Sequence, residues 1–165
     1  MVDYVEYQKA KICNDRITCF LKDYFWLSNF YPCEVYSDGF AKPINFKSSE
    51  SLFQALKCPT RADEFENLMP TEAKKLGRKV NLRNNWDSIK VDCMRYCLRS
   101  KFDQHNDLKD KLILTGNAHL EEANSWGDRF WGTVNGEGKN FLGKLLMELR
   151  DEYQQEYEKS MSCLN

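Results

Sequence analysis

The sequence predicts an α+β fold, helix-rich and in a single domain around a small β-sheet. Three observations carry that expectation. A chain of 165 residues, 42% hydrophobic and 13% aromatic, buries one sizeable core and is short for two ordinary domains. Several segments show apolar residues at helical spacing between recognisable start and stop signals. The β-rich runs, by contrast, are few and short.

Taken in chain order, residues 1–16 are polar and irregular and are expected to form a loosely ordered arm. Ile17-Thr18-Cys19-Phe20 reads as a strand. Cys33 to Tyr36, then Ser37-Asp38-Gly39, then Phe40 to Ile44 read as a hairpin closed by an Asp-Gly turn. Ser48 or Ser49 caps a helix through Lys57, where Cys58-Pro59 stops it. Pro70-Thr71 opens a second helix that ends at Gly77, and Asp87 caps a third. In that third helix Val91, Met94, Leu98 and Phe102 recur at i, i+3, i+7 and i+11, which predicts one buried stripe. Asp107 to Thr115 is a short helix closed by Gly116, and Ala118 to Ala123 a strand. Phe141 to about Tyr157 is a long helix with Leu142, Leu145, Leu146, Leu149 and Tyr153 inward, leaving 158–165 as a tail.

Composition excludes several functions. No apolar run approaches the roughly 20 residues that span a bilayer, and Met1 to Tyr7 lacks the basic-then-apolar pattern of a secretory signal. The expectation is an intracellular, cytoplasmic protein without a membrane partner. Seven cysteines with no Cys-x-x-Cys pair argue against a disulfide framework and a zinc knuckle. Cys93 and Cys97, one helical turn apart, read as small core residues, since the chain has only two histidines to complete a metal site. No metal and no cofactor are expected. A net charge of −1 hides a basic mid-section: nine Lys and Arg against three acidic residues from Thr71 to Lys101, which favours an anionic ligand. For Lys74-Lys75 a solvated helix face is the simpler reading.

Three groups of residues can carry chemistry. In Ser49-Glu50-Ser51-Leu52-Phe53-Gln54-Ala55-Leu56-Lys57, positions 50, 53, 54 and 57 share a helix face, so Glu50, Gln54 and Lys57 line up. Glu50 stands in the first turn, where the helix dipole favours a carboxylate. It either stabilises a developing cation or simply neutralises the helix start. The run Glu121 to Gly132 sets carboxylates and two indoles in a polar loop suited to stacking on a base. Trp86, next to the Asp87 cap, belongs either to such a mouth or to a hydrophobic staple. Gly136-Glu137-Gly138-Lys139-Asn140 runs into the long helix and has the chemistry of a phosphate site without a known phosphate motif. Read alone it is more simply an ordinary flexible loop before a helix.

Together these residues resemble the NADAR family. The resemblance rests on Ser28-Asn29-Phe30, Ser49-Glu50-x-x-Phe53-Gln54-Ala55-x-Lys57, Gly77-Arg78, Leu82-Arg83-x-Asn85-Trp86, Met94, Lys101-Phe102, Leu114-Thr115 and Glu122. It continues through Asp128-x-x-Trp131-Gly132 and Gly136-x-Gly138-x-Asn140-x-Leu142-Gly143-x-Leu145-Leu146-Met147-x-x-Arg150. It covers about residues 17 to 152, in order, and implies an N-glycosidase domain over 17–157.

The resemblance implies metal-independent hydrolysis of an N-glycosidic bond. The implied substrates are ADP-ribose on guanine bases of DNA or RNA, or phosphoribosyl-linked early riboflavin intermediates. A non-catalytic ADP-ribose or nucleotide binder is the rival reading, disfavoured by two carboxylates beside phosphates. Carried over by position, Glu50 is the first catalytic candidate and Asp128 the second, orienting ribose hydroxyls or water. Lys57 is the candidate for a Schiff base with the ring-opened sugar, with Lys101 competing for that role. Arg78, Arg83 and the loop bearing Gly138 and Asn140 would hold phosphate, and Trp86 and Trp131 would pack on base or ribose. Asn29, Phe30, Glu122 and Gly132 complete the implied binding set.

Overall fold

The computed structural model describes residues 2–12 and 15–163 and shows the expected α+β class, helix-rich with little sheet. Chain contacts group it into two compact units, residues 28–104 and residues 1–27 with 105–165. Among the described residues four strands make two separate two-stranded ribbons, one in each unit.

The unit of residues 28–104 opens with β2 (Val35–Ser37) and β3 (Ile44–Phe46), antiparallel with Val35 opposite Phe46 and Ser37 opposite Ile44. β3 starts later than the sequence suggests. Pro43, which has no N–H for the ladder, stands just ahead of it, so Asp38-Gly39 lies within a longer connection. Ser48 then caps α2 (Ser49–Ala55), its hydroxyl accepting from the Ser51 amide at 3.1 Å. All seven residues of α2 are buried, so it serves as the axis of this unit. A 3-10 segment from Pro59 to Phe65 leads to α3 (Pro70–Gly77), whose bounds are the expected ones. α4 runs from Trp86 to Gln104. Asp87 does not cap it but sits in its first turn and pairs with Lys90 at 2.8 Å. Its buried face is rotated from the expected stripe: Met94, Leu98 and Phe102 are inside with Cys97 and Lys101, whereas Val91 is half-buried.

The other unit holds α1 (Tyr4–Ile12), β1 (Arg16–Thr18), α5 (Asn106–Ile113), β4 (His119–Glu121) and α6 (Phe141–Ser162). β1 lies parallel to β4, with Arg16, Ile17 and Thr18 opposite His119, Leu120 and Glu121. Both terminal expectations are corrected. Residues 4–12 form a helix rather than a loose arm, because Tyr7 is fully buried, packs edge-on to Tyr157 at 4.9 Å and donates its hydroxyl to Glu158 at 2.8 Å. That contact also carries α6 through residue 162, past the expected end. Met1, Cys13, Asn14, Leu164 and Asn165, which belong to the expected arm and tail, lie outside the described residues. The inward residues of α6 are the expected ones. Arg150 and Gln154 of α6 supply donors to Ala118, Ile113 and Gly116 carbonyls, satisfying the chain that leaves α5.

Candidate active site

In the unit of residues 28–104 the candidate site is built on α2. Glu50 is 6% exposed, and its Oε1 accepts a hydrogen bond from Gln54 Nε2 at 2.7 Å, one turn along the same face. Its backbone N–H donates to the Asn29 carbonyl at 3.0 Å. Asn29 is itself buried and occupied: Oδ1 accepts from Ser49 at 3.0 Å, and Nδ2 contacts the Met94 sulfur. Asn29 therefore fastens the start of α2.

Lys57 stands just past the C-terminus of α2, half-buried, with Nζ 6.0 Å from the Phe53 ring centroid and 5.9 Å from that of Trp86. The two rings lie 5.2 Å apart and make an aromatic floor under the amine. Burial lowers the Lys57 pKa below the usual lysine value; Glu50 opposes this, while Lys74 and Arg78 add to it. Lys57 thus feels the charges of Glu50, Lys74 and Arg78. The Lys57 carbonyl accepts from the Arg83 amide at 2.9 Å, which fastens the segment leading to Trp86 against the end of α2. Lys74 reaches over Phe30 at 5.1 Å. The result is an ionisable pair, Glu50 and Lys57, bordered by aromatic rings and by cations suited to phosphate.

Lys101 is placed differently from Lys57. It is fully buried, donates to the Ser28 carbonyl at 2.9 Å, and lies between the rings of Tyr31 and Phe102. Desolvation lowers its pKa to about 8. The Lys101 amine is thus enclosed, whereas Lys57 is half-buried.

The second group of sequence-predicted residues belongs to the other unit. Asp128 Oδ1 accepts from the Phe130 and Trp131 amides at 3.0 and 2.9 Å, which closes a tight turn. Asn124 pinches the same loop by bonding both the amide and the carbonyl of Asp128, leaving Trp126 60% exposed at its tip. Trp131 is half-buried, edge-on to Phe130 at 4.9 Å.

The loop before α6 does not present a free cradle of amides. Lys139, Asn140, Phe141 and Leu142 donate to the carbonyls of Arg129, Gly132, Phe130 and Trp131 at 2.7 to 3.2 Å. Nor does the Asn140 side chain cap α6. Its Nδ2 donates to the Leu120 carbonyl and its Oδ1 accepts from the Glu122 amide, so it ties β4 to the helix start. Gly138, at φ +151°, carries the chain across the Gly132 carbonyl, where a Cβ would collide. The segment 129–132 occupies the donors that the glycine pattern suggests for phosphate.

Two side chains near this segment are placed differently from what the sequence suggests. Lys74 is half-buried, with its amine over the Phe30 ring, and its charge adds to the lowering of the Lys57 pKa. The readable signal was its i, i+4 spacing with Arg78. Cys97 was read only as core, yet its thiol, pushed up by burial, also feels the Glu50 charge. Among the described residues no three His, Cys, Asp or Glu side chains converge as a metal site, and no helix is long and apolar enough to cross a membrane.

Residues 4–154 match the family model of the NADAR domain. N-glycosidase YbiA of Escherichia coli strain K12 is 40% identical over 136 residues, covering 79% of this chain and 82% of that protein. A riboflavin biosynthesis protein of Vibrio vulnificus is 36% identical over 136 residues, covering 79% of this chain and 36% of its own. The NMR structure of E. coli YbiA matches with a TM-score of 0.76 at 36% identity, covering 87% of this chain and 88% of that one.

Proposed function

The chain belongs to the NADAR family of N-glycosidases, and we propose that the bond it hydrolyses joins ADP-ribose to a guanine base of DNA or RNA. The observation that carries the reading is the pairing of a buried Glu50 with a partly desolvated Lys57 beside Phe53 and Trp86. Breaking an N-glycosidic bond builds positive charge on the ribose anomeric carbon as the base nitrogen departs with the bonding pair. A carboxylate held near that carbon lowers the barrier. In the covalent route the N-glycoside ring-opens to an imine of the base nitrogen; neutral Lys57 adds to that carbon, the base amine departs carrying the proton, and water hydrolyses the resulting lysine imine to release the aldehyde sugar and free the amine. Arg78, Lys74 and Arg83 hold phosphate, while Trp86 packs on the sugar or base. Asp128 fixes the turn that carries Trp131 and Gly132. No metal is required by this chemistry.

An extended anion fits the cation distribution. Lys75, Arg78, Lys79 and Arg83 are all exposed, continuing outward from the half-buried Lys57 and Lys74. That is more positive charge than one monophosphate occupies, and it suits a diphosphate joined to a nucleic acid backbone. The second reading, hydrolysis of phosphoribosyl-linked riboflavin intermediates, is favoured by the riboflavin biosynthesis proteins among the relatives in V. vulnificus and Arabidopsis thaliana.

One experiment separates them. The protein is incubated with an oligonucleotide carrying ADP-ribosylated guanine and, in parallel, with the riboflavin intermediates, each with and without EDTA. Release of ADP-ribose from the oligonucleotide, unaffected by chelation, is the expected result. Turnover of the riboflavin intermediates alone transfers the activity to the second reading, and binding without cleavage of either overturns the enzymatic one.

A further inference from the structure

Gln54 makes a choice that packing alone does not explain. Its side chain is 3% exposed and carries one donor group and one acceptor. Glu50 offers only acceptor oxygens when ionised, so the amide nitrogen must face it, and it does, at 2.7 Å. The carbonyl end is then forced toward α3. There Gln54 Oε1 is buried with no hydrogen-bond donor and sits where the Cβ of residue 77 would stand if that residue were not glycine. A buried carbonyl without a donor costs free energy that an apolar side chain of the same shape avoids. Groups of this kind persist where the local arrangement serves a purpose other than stability.

We propose that Gln54 is a positioning residue that holds the Glu50 carboxylate ionised and aimed, and that Gly77 is bare so that the amide can lie in this orientation. The inference rests on the catalytic reading of Glu50. An N–H donor to a carboxylate favours its charged form, so removing the donor moves the Glu50 titration to higher pH. Glu50 also feels Lys57 beyond the end of α2 and the Cys97 thiol of α4, while Lys74 and Arg78 of α3 act on Lys57. All four remain in place when Gln54 alone is changed, so a shift belongs to the amide.

The test is Gln54→Met, close to glutamine in shape but with no donor and no orphaned carbonyl. Three readouts are taken on the full chain: thermal midpoint, the Glu50 carboxyl titration by 13C NMR, and steady-state kinetics on the ADP-ribosylated guanine oligonucleotide. The expected result is an unchanged or raised thermal midpoint, a Glu50 titration moved to higher pH, and kcat lowered at least about tenfold with KM changed less than about threefold. A purely structural Gln54 would lower the midpoint and leave the titration and kcat per folded molecule unchanged, which overturns the proposal. Gly77→Ala is the second variant. Its Cβ displaces the amide from Glu50, so it gives the same titration shift through a different residue, and no shift in either variant also overturns the proposal. Glu50→Gln is run beside them. An active Glu50→Gln refutes the catalytic reading itself, whereas an inactive Glu50→Gln with an unaltered Gln54→Met refutes only the inference about Gln54.

Discussion

Replacing Lys101 with methionine removes a fully buried ammonium and keeps a long, flexible apolar chain in its place. In the native protein the amine donates to the Ser28 carbonyl, next to the Asn29 carbonyl that receives the Glu50 amide, so the lysine braces the start of α2. Burial takes its pKa from 10.5 to about 8. At neutral pH, where the amine is charged in both folded and unfolded chains, that difference corresponds to about 3 kcal/mol of destabilisation. Between about pH 8 and 10.5 the folded chain binds fewer protons at this site than the unfolded chain, so stability rises with pH across the window. Above the window both states are neutral and the penalty is gone. Lys101→Met removes the penalty but leaves the Ser28 carbonyl without its donor, a loss of about 1–3 kcal/mol, so at pH 7 the variant should be near wild-type in stability. At pH 10 the wild type should have recovered most of the 3 kcal/mol and the variant none of it. Urea unfolding of both proteins at several pH values from 7 to 10.5 measures this directly. Other groups that titrate in the window, such as the buried Cys97 thiol, are common to both and cancel in the difference. Parallel stability curves for the two proteins would show that Lys101 does not titrate as a desolvated amine and would refute the reasoning.

Three further outcomes are expected. Because burial lowers the Lys57 pKa and Glu50 opposes this, an amine-directed reagent near pH 8 should label Lys57 ahead of the exposed lysines, and Glu50→Gln should increase that labelling. Borohydride added during turnover should trap a sugar adduct on the peptide from Gln54 to Arg61, and Lys57→Ala should abolish adduct and activity together. In the other unit, Thr133 and Arg16 hold the Glu121 carboxyl below its usual range, so the stability they confer is present above the unfolded carboxylate pKa and fades as pH falls through the folded one. Arg16 is largely exposed, so Arg16→Ala should cost less than about 1 kcal/mol by urea unfolding at pH 7, with the difference shrinking in acid.

What could be read in advance was local. The bounds of α3 follow from Pro70 at its first position and Gly77 at its end, and the inward face of α6 follows from leucine spacing. Glu50 and Gln54 share a face of α2, as the helical period predicts, whereas Lys57 lies past the end of that helix. The misses were set by distant partners. α1 has too little apolar patterning to be read as a buried helix; Tyr7 finds its place against Tyr157 and Glu158, about 150 residues further on. The glycines before α6 resemble an anion cradle until the carbonyls of 129–132 are seen to fill the amides. Asn140 has a capping residue's chemistry but spends it on β4. Period and composition do not reveal which non-local segment takes a donor.

Turnover of the ADP-ribosylated guanine oligonucleotide by Glu50→Gln tests the central claim most directly. The substitution keeps the size of the side chain, and the Glu50 to Gln54 contact can persist as a neutral hydrogen bond, so folding and substrate binding should survive. The account predicts a kcat lower by about 10² to 10³, with KM near the wild-type value, because only the charge that meets the developing cation is lost. Wild-type kcat in a folded Glu50→Gln protein would contradict it and reduce Glu50 to a charge at the start of α2.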